Sequence, residues 1–272
     1  MKALVNGISI AYTDEGQGLP LVFVHGFPLS RGCWRPQIDS LSRVCRAIAP
    51  DLRGFGESGA TSGTTTMDQF ADDIAALLAD LGATPAVVVG HSMGGYVALA
   101  MARRHTELLR GLVLVGTRAG QDSPDAAAGR RATAEKVRAD GPGGVIDAMA
   151  PKMLSPGTES ADMEAAVLGF MTPSSRDGVI GALLGMAERE DSVPLLGQIE
   201  MPTLVVTGAD DVIIDPAESH AMAQAITGSQ LEVIPDAGHL VAYEQAEAFN
   251  AALRDWLEAR DLLAVAARGP AG

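Results

Sequence analysis

The sequence predicts an α/β protein: a mostly parallel sheet covered by helices on both faces, with a helical block inserted past its middle. Three observations lead there. Short apolar runs rich in β-branched residues recur at 20–25, 45–49, 86–89, 112–115, 203–207 and 231–234, with helical patterns between several of them. That alternation buries a parallel sheet between two helical layers. The rhythm then breaks from 116 to about 197, where helical stretches are punctuated by Asp140-Gly141-Pro142-Gly143-Gly144, Ser155-Pro156-Gly157 and Thr172-Pro173-Ser174-Ser175. Finally, 272 residues, 47% of them apolar, suffice for one large domain with a decorated loop.

In chain order, 2–5 and 8–13 read as a hairpin around Asn6-Gly7, the strongest short hairpin signal. Glu15-Gly16-Gln17-Gly18 is a turn, and the strand 20–25 closes at Gly26. A short helix is expected over 34–41. The strand 45–49 enters the loop Pro50-Asp51-Leu52-Arg53-Gly54-Phe55-Gly56-Glu57-Ser58-Gly59. Phe70, Ile74, Leu77, Leu78 and Leu81 follow helical spacing from Met67, with Thr66 as N-cap and Gly82 as the stop. After the inserted block come a strand at 203–207, a helix from Asp215-Pro216 to Ile226, a strand at 231–234 and a last helix from near Gln245. The division expected is a core of 1–116 and 198–264, a helical cap of 117–197, and a disordered tail of 265–272.

The chain is organised around residues 86–104. Ala86, Val87, Val88 and Val89 form a buried strand, Gly90-His91-Ser92-Met93-Gly94 follows at once, and small and apolar residues then run helically to Arg103 and Arg104. Strand, G-x-S-x-G and helix together spell a nucleophile elbow, in which the serine sits on a strained turn and the glycines admit neighbouring backbone. The pentad alone is a weak signal. Its flanks make it specific and nominate Ser92 as nucleophile.

A serine hydroxyl needs a base and an orienting carboxylate, here in the order Ser, Asp or Glu, His. His25 and His91 come too early, His105 ends the elbow helix, and His220 lies within a helical stretch. His239 alone stands on a loop, Pro235-Asp236-Ala237-Gly238-His239, just past a strand, where open parallel sheets place functional groups. The loop Thr207-Gly208-Ala209-Asp210-Asp211 offers two carboxylates. Asp211 is the choice, with Asp210 as a turn or capping residue. Asp236 ranks third. Two backbone N–H groups are needed for an oxyanion: Met93, directly after the nucleophile, and Phe27 from His25-Gly26-Phe27-Pro28, since Pro28 has none. The Phe27 and Met93 side chains are then left to line the pocket.

Together His25-Gly26-Phe27-Pro28, Asp51-Leu52-Arg53-Gly54-Phe55-Gly56-Glu57-Ser58, Gly90-His91-Ser92-Met93-Gly94-Gly95, Gly208-Ala209-Asp210-Asp211 and Gly238-His239 resemble the α/β-hydrolase superfamily over nearly the whole chain. The resemblance implies the α/β-hydrolase fold with a helical cap entering after the strand that follows the elbow helix. It puts the acid at Asp211 and makes the 51–58 loop structural, with Arg53 an ion-pair or loop anchor and Asp51 and Glu57 mobile carboxylates without a catalytic role. Serine at position 92 separates the chain from epoxide hydrolases and haloalkane dehalogenases, which carry aspartate there. Similar families include carboxylesterases, lactonases such as 3-oxoadipate enol-lactonase, carbon–carbon bond hydrolases, and cofactor-free haloperoxidase or perhydrolase-type esterases. The implied activity is hydrolysis of carboxylic esters or lactones, and a slow-turnover small-molecule receptor is the reading from another class.

Composition narrows the partners. A net charge of −14 opposes nucleic acid and anionic membrane, since phosphates call for a basic surface. Cys33 and Cys45 are too few for a disulfide framework and lack metal-ligand company. Gly54-Phe55-Gly56-Glu57-Ser58-Gly59 has the wrong spacing for a dinucleotide loop, so neither cofactor nor metal is expected. The N-terminal stretch lacks a secretory pattern, which makes a cytoplasmic location the expectation. A small-molecule ester or lactone is the expected partner. Met149, Met153, Met163, Met171 and Met186, with Phe170 the one aromatic of 117–197, suit a small to medium hydrophobic group or simply fill the cap core. Arg118, just past a strand, is a candidate for gripping a substrate carboxylate, against the alternatives of solvation or a pair with a cap carboxylate.

Overall fold

The computed structural model describes residues 1–263, so the tail expected at 265–272 lies outside the described residues. The elements run β1 (Lys2–Val5), β2 (Ile8–Gly16), β3 (Pro20–Val24), α1 (Arg35–Leu41), β4 (Arg46–Pro50), α2 (Met67–Asp80), β5 (Ala86–His91), α3 (Met93–Arg104), β6 (Leu109–Val115), α4 (Pro124–Asp140), α5 (Gly143–Met149), α6 (Ala161–Met171), α7 (Arg176–Ala187), α8 (Val193–Leu196), β7 (Thr203–Gly208), α9 (Pro216–Ala225), β8 (Gln230–Ile234), α10 (Val241–Glu244) and α11 (Ala246–Ala259).

The eight strands form one sheet in the order β1-β2-β4-β3-β5-β6-β7-β8. The pairs β1–β2 and β2–β4 are antiparallel and the rest parallel. Alternation along the central strands separates two cores. Val22, Val24, Val88, Leu112, Leu114 and Val205 pack with α2, α3 and α9. Leu21, Phe23, Val87, Val89, Val113, Val115 and Val206 pack with α1 and α11. β5 is buried along its whole length, in the middle of the sheet, which is what its β-branched run calls for.

The helices start where local chemistry starts them. The Thr66 hydroxyl accepts from the Gln69 amide at 3.1 Å to cap α2, and Asp215 accepts from Ala217 to cap α9. Ser123, Ser160 and Ser175 do the same for α4, α6 and α7. Between β6 and β7 the chain forms the helices α4 to α8, as the broken rhythm foretold, and α4 lies along α7. Met153, Met171 and Met186 are buried in the packing, so the methionines of this segment mostly fill its core. Among the described residues, no helix is long and apolar enough to cross a membrane.

Candidate active site

Ser92 stands between β5 and α3 with φ 53° and ψ −115°. A positive φ is costly for a residue with a Cβ, and such strain persists only where neighbours over-determine the backbone. Here they do. The Ser92 amide donates to the Val115 carbonyl at 2.9 Å, and its own carbonyl accepts from Gly95 N at 2.8 Å and Thr117 Oγ1 at 2.8 Å. Gly94 permits the turn, because a Cβ there would lie 2.2 Å from the Val24 carbonyl oxygen. The elbow is therefore wedged against the end of β3.

Asp211 and His239 are brought together from the loops after β7 and β8. His239 Nδ1 donates to Asp211 Oδ2 at 2.8 Å, and both side chains are fully buried. The other carboxylate oxygen, Oδ1, accepts from the amides of Ile213 at 2.8 Å and Ile214 at 2.9 Å. Burial would raise the Asp211 carboxyl, but the hydrogen bond and charge of His239 and these two amides outweigh it and hold it below the ordinary carboxylate range. With Nδ1 committed to Asp211, the lone pair of the neutral ring lies on Nε2, which is buried and makes no hydrogen bond among the described residues.

Two further histidines brace this edge of the sheet. His91 Nε2 donates to the His239 carbonyl at 2.9 Å, and the two rings lie 4.7 Å apart. Burial, then the neighbouring charge of His239, pushes the His91 ring down to about 3, so it stays neutral near neutral pH. His25 is fixed in one tautomer. Its Nε2 accepts from the Leu52 amide at 2.9 Å, so Nδ1 carries the proton and donates to the Gly26 carbonyl at 2.9 Å. The His91 ring thus ties the His239 loop to the elbow, and the His25 ring ties the Phe27 loop to the loop after β4. Their positions, directly before Gly26 and inside the pentad, were the available signal; chain order alone eliminated them as bases without suggesting this role.

Phe27 is buried and packs edge-on against Phe55, 6.1 Å between centroids. It lines a groove of about 690 Å³ formed by α4 and α5, together with Val137, Val145, Met149 and Leu183. Met93 is the first residue of α3, so its N–H belongs to the donors that a helix start leaves without an intrahelical partner. The Met93 side chain is wholly buried among core residues, unlike the pocket-lining role expected of it.

Other expectations change. Asp51 is not a mobile carboxylate. It is fully buried and accepts from the amides of Arg31 at 2.7 Å and Glu57 at 2.9 Å and from the Arg31 guanidinium. Glu57 is exposed but also pairs with Arg31. Arg53 is an anchor, paired through two nitrogens with Asp73 at 2.7 and 2.8 Å. Asp210 does not cap its own turn; its Oδ2 accepts from Ser155 Oγ at 2.8 Å, across from the inserted segment. Asp236 is exposed with φ 51°, and His220 is an exposed helical residue. Arg118 pairs with Asp122, as do Arg130 and Arg189, and the Arg189 guanidinium lies 4.2 Å above the Tyr96 ring. Among the described residues, no group of three or more His, Cys, Asp or Glu side chains is arranged to hold a metal ion.

A serine held on a strained strand–helix turn and a buried aspartate–histidine pair lie at the carboxyl edge of one parallel sheet, the placement that an α/β-hydrolase fold gives its functional loops. The chain belongs to the alpha/beta hydrolase fold family, whose model matches residues 20–246. It is similar to a solved thermophilic esterase from Thermogutta terrifontis at 44% identity, covering 95% of this chain and 97% of that one with a TM-score of 0.92. It also resembles the enol-lactonase from Burkholderia xenovorans LB400, at 28% identity, 95% and 100% coverage and a TM-score of 0.86. A non-heme haloperoxidase of Rhodococcus erythropolis is 30% identical over 275 residues, 93% of this chain and 97% of that protein.

Proposed function

We propose that this protein hydrolyses carboxylic esters or lactones of small to medium hydrophobic substrates through an acyl-enzyme on Ser92. The observation that carries this reading is the Asp211–His239 hydrogen bond, which leaves the Nε2 lone pair free at the edge of the sheet that presents the strained serine. In the reaction, His239 takes the Ser92 proton as Oγ attacks the carbonyl carbon. The amides of Phe27 and Met93 hold the oxyanion, and Asp211 stabilises the imidazolium. Collapse of the tetrahedral intermediate breaks the bond to the leaving alcohol, which His239 protonates. A water deprotonated by His239 then releases the acid and restores Ser92.

The helices between β6 and β7 act as a cap over this edge, within the 117–197 segment. The apolar groove that reaches Phe27 supports a hydrophobic acyl or alcohol group. The similar esterase supports ester hydrolysis, and the similar enol-lactonase supports lactones as alternative substrates. Turnover of p-nitrophenyl esters by the wild type and by Ser92→Ala tests the reading. Multiple turnovers are expected from the wild type, and a loss approaching ~10⁶-fold in kcat from the variant. Retention of most activity in Ser92→Ala removes the mechanism, and a single slow turnover by the wild type points to a receptor instead.

A further inference from the structure

Glu244, at the end of α10, is a buried carboxylate whose partners are all neutral donors. Its Oε2 accepts from the Gly238 amide at 2.6 Å. Its Oε1 accepts from the Ser155 amide at 2.8 Å and from the Thr158 hydroxyl, and the Ser155 amide also lies 3.1 Å from Oε2. One side chain thus grips the residue directly before His239 and two residues of the segment between α5 and α6.

The surrounding backbone closes the same joint. Leu240 N donates to the Met153 carbonyl at 2.7 Å, Asp210 N donates to the Ala237 carbonyl at 2.9 Å, and Ser155 Oγ donates to Asp210 Oδ2. Gly238 has no room for a side chain, since a Cβ would lie 2.3 Å from the Leu154 carbonyl carbon and 2.4 Å from Ser155 N. The His239 loop, the Asp211 loop and residues 153–158 of the inserted helical segment therefore meet at Glu244.

We infer that Glu244 is a positioning residue: by clasping Gly238 to the 155–158 turn, it fixes the His239 ring relative to Ser92 and makes the inserted segment part of the base's support. The inference rests on the proposed hydrolase reading for its kinetic consequence, but not for its geometric one. A carboxylate is required because every partner donates. An amide of equal size presents an N–H₂ to at least one of these donors, leaving a buried group unsatisfied and the loop free to shift. Misplacing a reacting group by about 1 Å costs on the order of 10²-fold in rate.

Two measurements on the full chain test this. In Glu244→Gln, kcat for a p-nitrophenyl ester falls about 10²-fold while KM stays near the wild-type value. In the same variant the downfield proton resonance of His239 Nδ1–H shifts or broadens. In Thr158→Val, a milder change at a half-buried position, kcat falls less, by a few-fold, because the Gly238 and Ser155 amides still hold Glu244. Wild-type kcat together with an unmoved resonance in Glu244→Gln overturns the inference. Should Glu244→Gln not fold, an unchanged kcat and resonance in Thr158→Val overturn it. If the wild type turns over no ester, the hydrolase reading fails, and the resonance alone decides whether Glu244 positions His239.

Discussion

His91 and His239 share one backbone-anchored contact: Nε2 of the first donates to the carbonyl of the second at 2.9 Å, with the rings 4.7 Å apart. The donor directly precedes the elbow serine, so the proposed nucleophile and base are linked through a ring that stays uncharged near neutral pH. Burial holds His91 at about 3, against 6.5 for an ordinary histidine. Between those values the unfolded chain binds the proton and the folded chain does not, so stability rises with pH from about 3 to 6.5 and is level above it. His25 is lowered for the same first reason and contributes in the same direction. His91→Gln keeps an N–H donor but cannot titrate. Urea unfolding at a series of pH values is expected to show a flatter slope between 6.5 and 4.5 than the wild type; an identical slope would mean that His91 is not held neutral.

The elbow stores strain that a single substitution relaxes. A residue in a sparsely populated backbone region costs about 1–3 kcal/mol, and Ser92 is such a residue at φ 53°. Ser92→Gly removes that cost and returns about 0.5–1 kcal/mol through the extra freedom of the unfolded chain. The net expectation is a gain of about 1 kcal/mol, read as a higher urea midpoint with unchanged slope. Ser92→Ala keeps a Cβ and gains nothing. A midpoint for Ser92→Gly below that of Ser92→Ala would show that the turn is unstrained.

How much of this was legible in the sequence depends on the range of the interactions. Ser92, Asp211 and His239 could be placed at one edge from the sequence because each lies in the loop just past a strand, and strand ends in a parallel sheet converge. Thr66 could be picked as a cap because its partner, Gln69, is three residues away. Asp51 and Glu244 could not be read as buried, because what buries them lies far along the chain: Asp51 is held by Arg31, 20 residues away, and Glu244 by Ser155, 89 away. Asp210 looked like a local turn former because Ser155, 55 residues distant, cannot be seen from the 207–211 stretch. The four-residue α10 was invisible for another reason: a single turn is too short to show a period.

The Asp122 cluster separates two roles that Arg118 could have had. Asp122 is buried and receives Arg118, Arg130 and Arg189. Burial would raise its carboxyl, but hydrogen bonds from Arg130 and Arg189 hold it down at about 2. Its contribution to stability is present above an ordinary aspartate's 3.8 and is lost as pH falls through about 2. Arg189 is 4% exposed and Arg118 28%, so the two pairs differ in what they lose on truncation. Asp122→Asn or Arg189→Met is expected to cost about 3–5 kcal/mol, the scale of breaking a buried pair, and Arg118→Ala about 1 kcal/mol or less. With its guanidinium occupied by Asp122, Arg118 is expected not to select substrates: the ratio of activities on neutral and carboxylate-bearing esters stays the same in Arg118→Ala. A ratio that collapses would return Arg118 to the substrate.

The α4–α5 groove offers a test of substrate size in which folding and activity separate. Gly144 lines it near the start of α5, and a Cβ there meets nothing within 4 Å. A Cβ at this position is therefore accommodated, and leucine is a better helix former than glycine, so a loss of activity without loss of urea stability is expected to come from the groove. The added side chain projects into the space that the proposed acyl or alcohol group occupies on its way to Phe27. Gly144→Leu is expected to keep kcat/KM for p-nitrophenyl acetate and to lose about tenfold or more for the octanoate, since each lost methylene contact is worth about 1–3 kcal/mol. Equal effects on both esters, or none, would place the chain of the substrate elsewhere along the sheet edge.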